Sequence, residues 1–453
     1  MRGFPLLENG APAFAPAPAS WHALGVLKLS DDLAFRGLVH QVSDEALWTL
    51  LDEGSTTAYC GFDPTSDSLH VGNLLGIITL RRLQMAGHRP ILLAGGGTGL
   101  IGDPGGKADE RPLLSKEQFA ANLEAVRAQL GGLLDLSGAA GRAQGLLLDN
   151  SAWLCAYGFI EFLRDVGKHF TVNQMVAKES VRSRLERPDQ GISYTEFSYM
   201  LLQAYDYLHL HDTYGCCLQI GGSDQWGNIT LGLELIRKLR GAESFALTFP
   251  LLLRPDGTKY GKTESGAVWL DPAKSSPYEM YQFFVRTADD EVGRLLRYFT
   301  LLSREEIEAL DTETAERPGQ RKAQLALARE VCTLVHGEVE TERARAASRA
   351  LYSEDVASLD ESMLLEVFAD APSSRLARSS LDSGGLPLVD ALVSTGLASS
   401  KSSARTAITQ GGVYVNNTRR SDPEACLGRG DLLVDRYVVL RKGRRDYHLL
   451  QFE

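Results

Sequence analysis

From Ser30 to about Phe249, short apolar runs alternate with helix-patterned stretches, the order that builds a parallel sheet covered by helices. The candidate strands are Thr57–Phe62, Ile91–Ala94, Leu146–Leu148, Cys216–Ile220 and Leu247–Leu253. Each of the first four runs into a turn rich in Gly, Asp or Asn, and ligands of open parallel sheets collect at those carboxyl ends. Leu74–Leu80 is apolar on almost every side, so the helix that starts near His70 is expected to be buried. A second helix sets Tyr199, Gln203 and Asp206 at i, i+4 and i+7 among Met200, Leu201, Leu202, Ala204, Tyr207 and Leu208. That polar stripe on an apolar helix reads as a pocket wall, since buried polar groups need partners and a polar ligand supplies them.

From Ser275 to about Ser353 the pattern is helical and charged, with Ser303 and Glu306 spaced as a capping box. Val367–Gly385 reads as a linker. Two short helices, Leu388–Val393 and Lys401–Gln410, precede small strands at Val413–Val415, Asp431–Val434, Arg436–Leu440 and Tyr447–Leu450. The expected division is an α/β parallel-sheet domain over 30–254, a loop and connection over 255–274, a helical domain over 275–366, the linker over 367–385, and a small α+β domain over 386–453. Residues 1–29, rich in Pro and Ala, are expected to be a disordered leader, too poor in Arg and Ser to favour organelle targeting.

Composition narrows the class. A chain of 453 residues that is 44% hydrophobic is a multidomain globular protein. Its net charge of −11, taken over the whole chain, argues against a nucleic-acid partner. The charge is uneven, however: residues 396–453 carry ten Lys and Arg against six Asp and Glu. Six cysteines without a C-x-x-C pair indicate neither a zinc site nor a disulfide framework, and suggest a reducing, cytoplasmic setting. Apolar runs fall far short of the roughly 18 residues of a membrane span.

Four constellations carry candidate chemistry. Tyr59-Cys60-Gly61-Phe62-Asp63-Pro64-Thr65 closes a strand and leads to Leu69-His70-Val71-Gly72-Asn73 at a helix start. Unpaired N–H groups there would make a phosphate site beside Thr65 and His70, with Gly72 permitting close approach; a helix-capping histidine explains the fragment equally well. Gly97-Thr98-Gly99-Leu100-Ile101-Gly102 has the form of a dinucleotide fingerprint, but Asp103-Pro104-Gly105-Gly106 breaks the helix such a motif needs. It reads instead as a glycine-walled pocket ending in Asp103, with Lys107 and Arg111 on the loop beyond. Gly222, Asp224 and Gln225 end a strand, where they could hold hydroxyl, carboxylate or amine groups or simply form a turn. Lys259 and Lys262 lie in a turn that would neutralise phosphate charge if it sat beside an anion site, and would otherwise be a solvated loop.

In this order the pieces resemble the class I aminoacyl-tRNA synthetases, and among them the tyrosyl-tRNA synthetases of bacterial and organellar type, from about residue 30 to the C-terminus. His70-Val71-Gly72-Asn73 is similar to the HIGH motif and Lys259-Tyr260-Gly261-Lys262-Thr263 to the KMSKS loop. The resemblance implies a Rossmann-like catalytic domain, a helical anticodon-side domain and a C-terminal fold shared with a ribosomal small-subunit protein. It implies that Tyr59 and Asp206 hold the phenol hydroxyl of tyrosine, with Asp103, Tyr199 and Gln203 around its ammonium and Gln225 nearby. Gly61, Asp63, Gly72, Asn73, Gln219, Gly222 and Asp224 then line the aminoacyl and ribose region, supported by Asn150. Thr65 and His70 take the γ-phosphate end of ATP, while Lys107, Arg111, Lys259 and Lys262 clamp the leaving pyrophosphate. Asn73 departs from the motif, standing where many members have histidine, but its amide can donate in the same way.

The implied reaction joins tyrosine to ATP and then to tRNA(Tyr). It uses Mg²⁺ with the nucleotide, no metal held by the protein, no organic cofactor, no membrane and no DNA. A homodimer is usual for the family. The basic C-terminal residues Lys401, Arg405, Arg419, Arg420, Arg441, Lys442, Arg444 and Arg445 become candidate tRNA contacts. The competing readings are a nucleotidyltransferase with a His-x-Gly-x phosphate motif and a tryptophanyl-tRNA synthetase.

Overall fold

The computed structural model describes residues 28–104, 114–138, 143–186, 191–253, 260, 262–263, 266–350, 354–369, 371–382, 384–443 and 446–453. Lys107, Arg111, Lys259, Arg444 and Arg445 lie outside these, as do the side chain of Lys262 and all but the end of the expected leader. The chain forms two compact units, one of Met1–Ser276 with Phe283–Gly337, the other of Pro277–Gln282 with Glu338–Glu453.

The first unit opens with helix α1 (Leu29–Phe35) and is built on a sheet of β1 (Gln41–Val42), β2 (Thr57–Phe62), β3 (Arg89–Ala94), β4 (Leu146–Asp149), β5 (Cys216–Gly222) and β6 (Phe245–Phe249). The spatial order is β1-β6-β5-β2-β3-β4, parallel throughout except for the two-residue edge strand β1. Strand order reverses between β2 and β5, which opens a crevice at their carboxyl ends. The last strand stops at Phe249, short of the expected Leu253, because Pro250 has no N–H to give a ladder.

Helix α2 (Val71–Met85) packs on β2 and β3 and is buried from Leu74 onward along its whole circumference. On the other face, α3 (Tyr194–Tyr214) and α4 (Trp226–Arg240) pack together with Tyr59, Ile91, Leu93 and Cys216 into one apolar core. Helix α3 starts at a Ser193 cap that accepts from the Glu196 N–H, and ends at Gly215 in the left-handed region, φ 63°.

A buried charge cluster fixes the far end of α2. Arg36 Nε donates to Asp32 at 2.7 Å, and Arg82 Nη1 lies 3.4 Å from the same carboxylate. Two guanidiniums on one carboxylate leave a surplus positive charge. It is met by carbonyls at the end of helix α5 (Asp289–Phe299): Arg36 donates to the oxygens of Arg297, Thr300 and Leu302, and Arg82 to that of Thr300. The carbonyls of Arg297 and Thr300 lie at the C-terminal, negative end of that helix, and that of Leu302 lies just beyond it. Burial lowers the pKa of both arginines, Arg82 most strongly.

The second unit carries α6 (Glu361–Val367), β7 (Ser373–Leu376), α7 (Leu388–Ser394), α8 (Lys401–Thr409), β8 (Val413–Val415), β9 (Thr418–Arg420), β10 (Tyr437–Lys442) and β11 (Asp446–Phe452). Its sheet runs β9-β8-β10-β11-β7, and α7 and α8 share a core with its inner face through Leu392, Ile408, Val413, Val415 and Leu440. Two expectations fail here. The segment expected as a linker supplies β7, whose backbone pairs in parallel with β11. Asp431–Val434 is not a strand: Arg429–Asp431 is a 3₁₀ turn, and Val434 and Asp435 have φ of 48° and 56°, which reverses the chain into β10.

Replacing Asp32 by Ala strands two buried guanidiniums and is expected to cost about 3–5 kcal/mol. Urea denaturation of the purified variant checks this, and an unchanged midpoint would contradict the cluster's role.

Candidate functional site

The crevice between β2 and β5 widens into a cavity of about 360 Å³. Its deep wall comes from α3, which contributes Tyr199, Gln203 and Asp206, the stripe read from the sequence. Strand β2 and the turn after it add Tyr59, Gly61, Asp63 and Thr65; the start of α2 adds His70, Gly72 and Asn73. Asp103 follows β3, and Gln219, Gly222, Asp224 and Gln225 come from β5 and its turn. All the described residues expected at the amino-acid and ATP sites are thus brought together, apart from Lys262, whose side chain is outside the description.

At the deep end Asp206 is 2% exposed. Its Oδ2 accepts from Asn150 Nδ2 at 2.8 Å and its Oδ1 from Trp153 Nε1 at 2.7 Å. Both donors favour the carboxylate, but burial outweighs them and pushes its pKa up to about 8. Trp153 was not foreseen. Its signal is the spacing Asn150-Ser-Ala-Trp153, three residues apart in the turn of helix after β4, and its indole stacks on His209 at 4.3 Å. Asn150 is held in place by the Gly97 N–H, which donates to its Oδ1 at 2.7 Å.

From Asp206 a chain of hydrogen bonds crosses the cavity floor. Asn150 also donates to Thr98 Oγ1 at 2.9 Å, Thr98 to Asp63 Oδ1 at 2.7 Å, and Tyr199 Oη to Asp63 Oδ2 at 2.8 Å. Beside it, Gln225 Nε2 donates to Asp103 at 2.6 Å, and Asn228 Nδ2 to Gln203 at 3.1 Å. Burial and the Asp63 charge raise the Tyr199 pKa; burial and the Asp206 charge do the same for Tyr59. Among the described residues that line the cavity, two buried polar atoms have no hydrogen-bond partner, Tyr59 Oη and Gln219 Oε1. Polar atoms of this kind are rarely left unpaired without a ligand or water to answer them.

The mouth of the cavity is the start of α2. His70 caps it: Nδ1 accepts from the Gly72 N–H at 3.0 Å, which leaves the proton on Nε2. A Cβ on Gly72 would stand 2.8 Å from the His70 ring, so any larger residue there would push the ring aside. Asn73 Oδ1 accepts from the His70 N–H at 3.0 Å, closing a capping box and leaving the amide hydrogens to point elsewhere. His70 also pairs with Trp269, flanked by bonds from Val71 N–H to Val268 and from Leu270 N–H to Leu69. Immediately upstream, Lys262–Thr263 pairs with Gly266–Ala267. The chain that follows Lys262–Thr263 therefore runs, at residues 268–270, beside the helix start that caps the cavity. After β3 comes a single 3₁₀ turn, Thr98–Leu100, where a dinucleotide fingerprint would open a long helix.

A parallel sheet whose switch point holds a His-x-Gly-x helix start and a polar side-chain pocket is the arrangement of a class I aminoacyl-tRNA synthetase, and residues 51–353 match the family described as tRNA synthetases class I (W and Y). Residues 364–450 match the tyrosine–tRNA ligase SYY-like C-terminal domain. The tyrosine–tRNA ligase of Roseiflexus castenholzii is 54% identical over 421 residues, covering 93% of this chain and 98% of that one. That of Opitutus terrae is 51% identical, covering 94% and 100%. Among solved structures, a C-terminally truncated mitochondrial tyrosyl-tRNA synthetase of Aspergillus nidulans superposes with a TM-score of 0.64 at 33% identity, covering 72% of this chain and 94% of that one. The chain belongs to the tyrosyl-tRNA synthetase family and is an aminoacyl-tRNA ligase. The catalytic-domain match alone spans both tyrosyl and tryptophanyl enzymes; the C-terminal domain and the relatives disfavour the tryptophanyl and nucleotidyltransferase readings.

With its pKa raised, Asp206 holds a proton in the folded chain that the unfolded chain releases between about pH 4 and 8. Its contribution to stability therefore falls as pH rises through that window, by at most about 1.4 kcal/mol per pH unit. Asp206→Asn is expected to gain on the parent chain progressively from pH 5 to 8 in denaturation midpoint. A pH-independent difference would refute the buried titration.

Proposed function

We propose that the cavity binds L-tyrosine with its phenol at Asp206 and Tyr59 and its ammonium near Asp103, Tyr199 and Gln203, and that ATP enters over the start of α2. The observation that carries this reading is the unsatisfied Tyr59 Oη beside a buried carboxylate. A phenol hydroxyl could donate to Asp206 and accept from Tyr59, whereas phenylalanine would leave both buried groups without a ligand partner. Gln219 Oε1 offers a second acceptor, suited to a ribose hydroxyl or the ammonium.

The tyrosine carboxylate attacks the α-phosphorus, the bond to the bridging oxygen breaks, and pyrophosphate leaves. No side chain becomes covalently attached, so the protein's task is alignment and charge stabilisation. His70 Nε2–H and Thr65 face the outgoing phosphates, with the N-terminal dipole of α2 behind them; the amide of Asn73 reaches for the ribose. Lys107, Arg111, Lys259 and Lys262 are assigned to the leaving group from the motif alone. Among the described residues no cluster of three or more His, Cys, Asp or Glu could hold a metal, and Mg²⁺ is assigned to the nucleotide's own oxygens. A ribose hydroxyl at the 3′ end of tRNA(Tyr) then attacks the acyl carbon of the adenylate, the acyl–phosphate bond breaks, and AMP and the hydroxyl proton leave.

The second unit is assigned to tRNA binding, the chain to a homodimer and to the cytoplasm. Exposed Phe159, Ile160, Val172 and Tyr194 give a second copy apolar surface to cover. No described helix is long and apolar enough to cross a membrane.

Amino-acid-dependent ATP–pyrophosphate exchange across the twenty amino acids tests the reading: tyrosine alone should support it. Asp206→Ala is expected to lower tyrosine-dependent exchange about tenfold or more, from the roughly 1–3 kcal/mol cost of leaving a buried phenol hydroxyl without its partner. Exchange at the parent rate would sink the assignment. Replacing Lys259 and Lys262 together is expected to slow adenylate formation in single turnover while tyrosine affinity changes little; equal losses in both would remove the lysines from the transition state.

A further inference from the structure

The turn of helix that carries Trp153, Ser151–Leu154, is four residues long, too short to hold a side chain in place by its own hydrogen bonds. The Trp153 indole nevertheless has to be held, because its Nε1 donates to Asp206 Oδ1 at 2.7 Å and a donor that swings away loses the bond. Part of the indole packs against the apolar core of the first unit. Its flat contact is with His209, whose ring lies 4.3 Å away, centre to centre, at 17° between the planes. The neighbouring aromatic pairs are edge-on instead: Tyr157 meets Phe162 at 87° and Tyr205 at 88°.

The spacing along α3 explains the flat contact. His209 follows Asp206 by three residues, so the two are neighbours on the surface of that helix. One turn of α3 therefore grips one indole at two points, with Asp206 at its N–H edge and His209 on its ring face. His209 is half-buried, and burial lowers its pKa, which keeps the ring neutral at pH 7. It also meets Tyr205 at 6.3 Å, and the charge beside it is Asp212, whose carboxylate is bound by Arg240. Among the described residues its ring nitrogens make no hydrogen bond, so the residue contributes a flat surface rather than a proton.

We propose that His209 is a positioning residue for tyrosine recognition, clamping the Trp153 indole so that its N–H stays on Asp206 and the carboxylate stays aimed at the phenol hydroxyl. This rests on the assignment of the phenol to Asp206 and adds to it a residue that does not line the cavity. Without the indole, Asp206 keeps one donor, Asn150. Burial then favours the neutral carboxyl still further, and a neutral carboxyl is a weaker acceptor for the phenol than a carboxylate.

Steady-state ATP–pyrophosphate exchange by the full chain is the test. His209→Ala is expected to raise the KM for tyrosine about fivefold, the order of a lost aromatic pair, with kcat and the KM for ATP unchanged. Exchange driven by phenylalanine, which brings no hydroxyl to Asp206, should not change. His209→Phe, which keeps a flat ring, should match the parent. In a Trp153→Phe background, where the ring remains and the N–H is gone, His209→Ala should add nothing. A parent-like tyrosine KM in His209→Ala, an equal loss with phenylalanine, failure of His209→Phe to match the parent, or an undiminished loss in the Trp153→Phe background would each overturn the proposal. Asp206→Ala, run alongside, separates the two readings. A normal tyrosine response there removes the phenol assignment itself, whereas a lost response beside a silent His209→Ala removes the clamp alone.

Discussion

Helix α2 has no polar face to orient it, so its direction is set by polar contacts at its two ends. At one end Arg82 is locked to Asp32 and to the terminal carbonyl of α5. At the other the His70–Asn73 capping box and the pairing with residues 268–270 hold the first turn. Its middle turns, Leu74–Leu80, are almost wholly apolar and could rotate or slide at small cost in hydrophobic energy, because that energy has no direction. The two polar clamps remove this freedom, and with it any variation in where the first N–H groups and the His70 ring point. The geometry at the cavity mouth is thus inherited from a charge cluster buried well away from it.

Much of this was legible in the chain. Strands β2 to β5 announced themselves because each is a short apolar run stopped by turn-forming residues, and the α3 stripe because polar residues at helical spacing are conspicuous among apolar ones. The site's supporting contacts were harder to see. Asn150 meets Asp206 across 56 positions, and nothing local in either segment specifies the meeting. Trp153 reads as an ordinary aromatic until its indole N–H is found against that carboxylate. Strand β7 escaped notice because Ser-Ser-Arg-Leu lacks an apolar run; its pairing with β11 is almost all that makes it a strand. The turn at Val434 and Asp435 was misjudged for the opposite reason, since Leu-Leu-Val carries strand propensity that the reversed backbone overrides.

Charge was the composition's least reliable guide. A net value averages over surfaces that never meet the same partner, and within the second unit even a local count misleads. Most of its described lysines and arginines are answered by carboxylates or carbonyls, so a count of basic residues overstates the charge they leave unpaired.

The hydrogen-bond chain from Asp206 through Asn150, Thr98 and Asp63 to Tyr199 joins the two ends of the cavity. Three of its four bonds end on a carboxylate and the fourth on the Thr98 hydroxyl that donates to Asp63, so a charge or proton shift at one end is felt at the other through polarised bonds. An occupant that left Asp206 unanswered would be detected by groups it does not touch. It would then be penalised twice, by weaker retention and by imperfect alignment at the distant end. With tyrosine lying in it as proposed, such a cavity would gauge the whole molecule, its length and its terminal atom together.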